Sequence, residues 1–435
     1  MTLADRRDGC GAAAISRRQW IAGSMGTAAL AAISLGGCAD RFEAERETPF
    51  ALGVASGYPR PTEIVLWTRL LPGSVDPQIS APAMSVIWEI AEDPRFNHIV
   101  RRGEALATAD WAHSVHAEVG GLRPARDYWY RFLACGHASP VGRTRTAPAP
   151  DARGARLRLA YASCQNYEQG WFTAHRHMAA EDLDLVAFLG DYIYEGSWGS
   201  AHVRKHGAGE PETLAAYRAR HALYRRDPDL QACHAAHPWI VTWDDHEVEN
   251  DYASDRSQGL WPRTRFLARR EAAYRAFYEH MPLPRTMRPR GPDMPIHARL
   301  DWGQVARLHV LDCRQYRSHQ VCPRPGRGGS TMVGTECAAR SDPTLTLLGH
   351  GQEAWLDTGL ASSNGTWNIL LQSTLFAQLL RRSASGEARF WTDGWDGYKA
   401  SRQRVIDMLI ARRVANPLII GGDVHATYAA DIHAD

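Results

Sequence analysis

Trp239-Ile240-Val241-Thr242-Trp243-Asp244-Asp245-His246-Glu247-Val248-Glu249-Asn250 is the stretch that decides the fold. Residues suited to a buried strand give way at once to a cluster of charge. The same succession recurs along the chain. Leu157–Ala162 leads into Ser163-Cys164, and Leu185–Leu189 leads into Gly190-Asp191. Ile369–Leu371 leads into Gln372-Ser373, and Leu418–Ile420 leads into Gly421-Gly422-Asp423-Val424-His425. Helical stretches near 168–180, 211–232, 263–280, 351–361 and 396–413 separate them. Short apolar strands alternating with helices predict an α/β layered domain. Its ligands are expected at the carboxyl ends of the strands, where these loops converge.

Working towards the N-terminus, the pattern changes. Residues 48–147 read as all-β, with strand candidates at Glu63–Leu70, Ser85–Ile90 and the alternating His113–Val119. Leu122-Arg123-Pro124 before the alternating aromatics of Asp127–Phe132 resembles the tyrosine-corner segment of fibronectin-type sandwiches. Thr144 to Arg153, rich in Thr, Pro and Ala, reads as a linker, which places a boundary near residue 150. The expected class is therefore α+β, an N-terminal fibronectin-III-like β-sandwich followed by an α/β sandwich from 155 to 435.

Residues 1–38 read as an export signal rather than folded protein. Arg17-Arg18 precedes an uncharged, Ala- and Gly-rich run from Ile21 to Gly37, and the paired arginines point to twin-arginine export. Leu35-Gly36-Gly37-Cys38 resembles a lipoprotein cleavage site, with ordinary signal-peptidase cleavage as the alternative. The expected location is periplasmic, secreted or lipid-anchored through Cys38. In an oxidising compartment disulfides persist; Cys322 and Cys337 flank a Gly-rich stretch and could be bridged, with Cys313 a competing partner.

Composition narrows the function classes. The chain has 435 residues, 44% hydrophobic and 23% charged, with a formal net charge of +2. That excludes a disordered chain or a coiled coil, and there is no basic excess to mark a nucleic-acid binder. Of the 50 basic residues, two are lysine and 48 arginine, which reads as a compositional bias of the genome.

The chemistry gathers at the strand ends. Asp191 can bridge two cations, and Tyr194 can supply a phenolate suited to a ferric ion. The cluster from Asp244 to Asn250 is too polar to bury without a counter-charge. Asp423 and His425, two apart in an extended segment, point the same way. Cys164 offers a nucleophile, a disulfide partner or a soft ligand. Oxygen donors with a phenol, a thiol and imidazoles argue against a Cys-rich structural zinc. They favour Ca²⁺ or Mg²⁺ together with Fe³⁺.

These residues carry a resemblance to the PhoD-like alkaline phosphatases, a branch of the metallophosphoesterases. The motifs are Phe50–Gly57, Val65–Arg69, Ala162–Gln165, Gly190–Glu195, Trp243–Glu247, Leu311–Arg317 and Gly422–His425. The resemblance implies a metallophosphoesterase α/β sandwich and an exported hydrolase of phosphate monoesters and diesters. It implies Fe³⁺ and Ca²⁺, with Mg²⁺ or Zn²⁺ less fitting, and a metal-activated hydroxide as attacking group. Cys164, Asp191, Tyr194 and Asp423 would hold iron. Asp191 would bridge to calcium, Asn250 matches a calcium position, and His425 lies beside the cluster. Asp245 and His246 would orient the ligands or join them. Arg314 or Arg317 would hold phosphate, and His246 or His425 would steady charge or protonate the leaving group. Expected partners are the ester substrate and the twin-arginine machinery, with no oligomeric state implied. Cys313 stands where the family pattern has Thr, and the family pattern continues beyond Asp435, so a truncated member is expected. Two other readings stay open: a diesterase acting on lipid or cell-wall phosphodiesters, and an inactive surface binding protein.

Overall fold

The computed structural model describes residues 48–71 and 83–433. The export signal and Cys38 lie outside the described residues.

Eight strands form the N-terminal part: β1 (Val54–Gly57), β2 (Glu63–Arg69), β3 (Met84–Ala91), β4 (Ile99–Ala107), β5 (Ser114–Gly120), β6 (Asp127–Ala134), β7 (His137–Ala138) and β8 (Gly142–Arg145). They make two sheets. One has the order β5-β2-β1; the other has β4-β3-β6-β7, with β8 also paired to β6. β6 alternates buried and half-buried residues along its length, so Tyr128, Tyr130 and Phe132 fill the space between the sheets. The Tyr128 hydroxyl accepts a hydrogen bond from the Arg123 backbone N–H at 2.9 Å and pins the turn that precedes β6. The expected linker begins later than its composition suggests, because Thr144 and Arg145 are the end of β8.

The larger part begins with β9 (Leu159–Ala162), α1 (Thr173–Ala180) and β10 (Leu185–Leu189). There follow α2 (Leu214–Arg225), α3 (Pro228–Ala236), β11 (Pro238–Thr242) and α4 (Arg263–His280). Then come β12 (Ala298–Trp302), β13 (Ala306–Val310), β14 (Met332–Val333), α5 (His350–Ala361), β15 (Trp367–Leu371), β16 (Arg381–Arg382), β17 (Ala388–Trp391), α6 (Lys399–Ala411) and β18 (Pro417–Ile420). The single helix expected over 211–232 is two helices. Pro228 has no backbone N–H for the ladder, and the Asp227 carboxylate accepts from the N–H groups of Asp229 and Leu230, starting α3 afresh.

β9, β10 and β11 run parallel, and β1 of the N-terminal part pairs with β11. One six-stranded sheet, β5-β2-β1-β11-β10-β9, therefore crosses from sandwich to α/β region. A second sheet, β12-β13-β15-β18, carries three parallel strands. One hydrophobic core joins the two sheets, taking Phe188, Trp239 and Val241 from the first and Leu308, Val310 and Leu371 from the second. β10 and β11 are buried at every position. Continuous apolar runs are what strands covered on both faces require.

Candidate metal centre

Both sheets present their carboxyl ends to the same cleft of about 1710 Å³. Cys164 follows β9, Asp191 follows β10, Asp244 follows β11, Ser373 follows β15 and Asp423 follows β18. The loops are stitched to each other. The N–H of Cys164 donates to the Gly190 carbonyl, that of Gln165 to Asp191, and that of Gly422 to Ser373. Gly190 has φ +103°, and a Cβ there would come within 2.6 Å of the Asp244 nitrogen. Only glycine lets these loops approach so closely. Cys164, Asp191, Asp423 and His425 all have positive φ, between 52° and 69°. Backbone held in this sparse region clusters where geometry serves a ligand.

Three groups of donors overlap. Cys164, Asp191 and His425 each offer a ligand atom within 4.8 Å of one another. So do Asp191, Asp245 and His246, and so do Asp245, Asp251 and Asp393. Asp191 belongs to the first two and Asp245 to the last two, so the groups form a continuous row. The Tyr194 hydroxyl lies against the first group, 3.2 Å from Asp191 Oδ2 and 3.0 Å from His425 Nε2. Asp423 approaches by its backbone N–H, which donates to Cys164 Sγ at 3.3 Å, while its carboxylate accepts from Thr374. Asn250 lines the cleft, and its N–H donates to Glu195 Oε1 at 2.8 Å. Cys164 is in no disulfide.

The electrostatics are those of a site short of positive charge. Burial, then Asp245, Asp244 and Glu247, pushes Asp191 well above the carboxylate range. Burial and the same acidic neighbourhood raise Asp423, and bring Asp251 up to about 7. Asp191 Oδ1 and Asp244 Oδ2 are buried with no hydrogen-bond partner. Orphaned buried carboxylate oxygens are costly unless a cation meets them. The donor set of carboxylates, phenol, thiol and imidazole therefore fits metal ions.

His246 sits differently from a simple ligand. Its Nδ1 is 2.8 Å from Glu195 Oε2, and its ring stacks on Tyr194 at 4.3 Å. Burial opposes its charge, but Glu195, Asp245 and Asp191 outweigh it and hold the imidazole well above its usual pKa. His425 goes the other way, lowered by burial and then by His246.

The expected phosphate-holding place of Arg314 and Arg317 does not match where they lie. Both are buried behind the site, and neither lines the cleft. Arg314 Nε reaches Asp244 Oδ1 at 2.5 Å, and its Nη2 reaches Asp393 Oδ2 at 2.7 Å and Asp245 Oδ1 at 3.5 Å. Arg317 Nη1 binds Asp393 at 2.9 Å. Surrounded by carboxylates, these guanidiniums hold the acidic row in place. Three partners were not singled out in the sequence: Asp251, Asp393 and Glu195. Asp393 follows β17, a short strand without a buried run, so nothing in its local pattern marks it. Glu247 is also structural. Its carboxylate accepts from the N–H groups of Asp191, Tyr192 and Asp244 and ties the β10 and β11 loops together.

The expected staple is present: Cys322 and Cys337 form a disulfide, while Cys313 is buried in none. No helix among the described residues is long and apolar enough to cross a membrane.

A two-sheet α/β domain with a row of metal-type donors at its strand ends defines the class of this molecule. The chain belongs to the PhoD-like phosphatase family. The family's model matches residues 159–435, and that of its N-terminal domain matches residues 37–148. The chain is 45% identical over 393 residues to Alkaline phosphatase D of Bacillus subtilis (strain 168), covering 89% of this chain and 66% of that protein. The chain thus spans just under two thirds of that relative's length. It also matches a solved structure of PhoD with 45% identity and a TM-score of 0.83, covering 89% of this chain and 74% of the other.

Proposed function

We propose that this chain is an exported, metal-dependent phosphoric ester hydrolase of the alkaline phosphatase type, acting on phosphate monoesters and diesters. The observation that carries the reading is the overlapping row of donors, in which Asp191 and Asp245 are each shared between groups. A shared carboxylate is what neighbouring cations need. Cys164, Asp191, Tyr194 and Asp423 would hold a ferric ion, and Asp191, Asp245 and Asn250 calcium. Ions bound there supply Lewis-acid stabilisation of the phosphoryl oxygens and acidify water.

The protein's own groups supply the rest. His246, kept protonated by Glu195, donates from Nε2 towards a phosphoryl or leaving-group oxygen. The Tyr194 hydroxyl lies 3.0 Å from His425 Nε2, a hydrogen bond that orients both. Arg314 and Arg317 act as positioning residues through Asp244, Asp245 and Asp393. Supporting a fibronectin-III-like sandwich over 48–147 are its strand order and the Tyr128 corner; the catalytic domain takes 155–435. The Arg17-Arg18 signal supports export by the twin-arginine route.

Hydrolysis of a chromogenic phosphate monoester and diester tests this reading. It is measured on the purified chain as prepared, after chelation, and after iron and calcium are restored. Loss on chelation with recovery on metal return is expected, and the two rates rank the ester classes. Activity indifferent to chelation would end the metal-dependent reading.

A further inference from the structure

The cleft of about 1710 Å³ is larger than the about 300–1,000 Å³ of ordinary small-ligand sites. The donor row takes up one part of it, so room remains for the organic half of an ester. Trp198, in the loop between β10 and α2, borders that room. It lines the cleft and is 37% exposed. It joins none of the hydrophobic clusters of the core, so packing does not account for it.

The indole is one ring removed from the donor row. It meets the His246 ring edge-to-face at 4.7 Å and the Tyr194 ring in the same way at 5.7 Å. His246 shares a donor group with Asp191 and Asp245, and the Tyr194 hydroxyl lies 3.2 Å from Asp191 Oδ2. A substituent on a phosphoryl group held at the row therefore has the indole as its neighbour.

The loop holds the ring in this place. The Trp198 carbonyl accepts from Gln169 Nε2 at 3.1 Å and lies 2.9 Å from His202 Nε2. Gly196 makes space for the indole, since a Cβ there would come within 2.8 Å of Trp198 Cη2. Asn166 and Gln169 line the cleft with it. Asn166 Oδ1 accepts from the N–H groups of Glu168 at 2.9 Å and Gln169 at 3.2 Å, so its amide nitrogen is the end left to offer a ligand.

We propose that Trp198 is the platform for the alcohol half of the substrate and gives the enzyme a preference for esters whose alcohol carries a flat aromatic ring. Asn166 presents its amide N–H to the polar edge of that ring. An indole rewards a flat ring by stacking, which a short aliphatic alcohol cannot match. The inference rests on the hydrolase reading of the same cleft and adds the substrate class to it.

The test compares adenosine 5′-monophosphate with glycerol 3-phosphate on the metal-loaded chain. Both are esters of primary alcohols, so the bond broken is alike and the ratio of kcat/KM values reads the alcohol half. The ratio is expected to favour the adenosine ester by about tenfold or more, the scale of stacking a base on an aromatic side chain. Trp198→Ala should bring it near one, and Trp198→Phe, which keeps a ring face, should retain most of it. Both rates come from the same variant, so any slackening of His246 or Tyr194 cancels from the ratio. A second readout needs no turnover. The phosphonate analogue of adenosine monophosphate, with carbon in place of the bridging oxygen, cannot be hydrolysed. Saturation transfer in NMR from the protein to its base protons is expected in the wild type and not in W198A. Hydrolysis of neither ester, with that transfer present, would sink the hydrolase reading and leave the platform standing. A ratio near one in the wild type, an unchanged ratio in W198A, or equal transfer to the base in both proteins would each overturn the proposal.

Discussion

Asp191 concentrates the demands of the site. It is 1% exposed, sits at φ 58°, belongs to two donor groups and has one carboxylate oxygen without a partner. Asp191→Asn keeps the size but removes the charge and one acceptor. Turnover in that variant is expected to fall by about three orders of magnitude or more, with bound metal falling alongside, as read by elemental analysis. Near-native turnover would remove Asp191 from the mechanism. Arg314 makes a different prediction. Replacing it by Met takes the shared guanidinium from Asp244 and Asp245 and leaves Asp393 with Arg317 alone. Stripping one partner from a buried ion cluster costs about 3–5 kcal/mol, so the denaturant midpoint should drop substantially. A variant of native stability with a raised KM would instead put Arg314 on the substrate.

Elements whose own residues decide their structure were legible in the sequence. Leu185–Leu189 is the strand expected there, and 263–280 is the helix, because both carry their burial pattern internally. The break between α2 and α3 was also written locally, in Asp227-Pro228, but the apolar pattern on either side concealed it. β4 was missed because its residues up to Leu106 are exposed or half-buried and show no long apolar run. Pairing of β1 with β11 across the two domains leaves no local signature at all, and neither does the place of Asp393. The donors at the strand ends were legible because each follows a buried run; those supplied by distant loops were not. One such loop is closed by the Cys322–Cys337 disulfide. It brings Ser330 to Asp251 Oδ2, while Gln320, just before it, donates to Asp393 Oδ1 at 2.9 Å and to the Asp251 carbonyl. A bridge across 15 residues constrains the unfolded chain by about 3 kcal/mol. The double change Cys322→Ser with Cys337→Ser is therefore expected to lose about that much in equilibrium unfolding. Turnover should fall too, as Asp251 and Asp393 lose their outer support. An unchanged midpoint, with wild type equally stable under reductant, would show that packing alone holds the loop.

Across the whole molecule, neutral histidines outside the donor groups tie stability to pH. Burial pushes His116, at the seam with α4, down to about 4, and His175, on α1, also to about 4. His309, on β13 of the second sheet, falls to about 3 by the same cause. Each hydrogen-bonds or packs as the neutral ring: His116 Nδ1 lies 2.9 Å from the Leu283 carbonyl, and His175 Nε2 lies 2.7 Å from Gln165 Oε1. In the unfolded chain the same rings titrate near the ordinary value of about 6.5. Above that pH both states are neutral, and the full stability is present. Below it the unfolded chain takes up protons that the folded chain refuses, so stability is lost as pH falls. Each ring withdraws about 1.4 kcal/mol per pH unit between its unfolded and folded pKa. Three rings in separate parts of the fold act together, against a typical total of about 5–15 kcal/mol. With the acidic row occupied by metal, the unfolding midpoint is expected to fall steeply between pH 6.5 and pH 4; without metal, the raised carboxyls of Asp191, Asp423 and Asp251 take up protons in the folded chain and offset part of that fall. His175→Gln or His309→Gln should flatten that slope by about one proton each. A midpoint independent of pH across this window would mean that these rings are not held neutral in the folded chain.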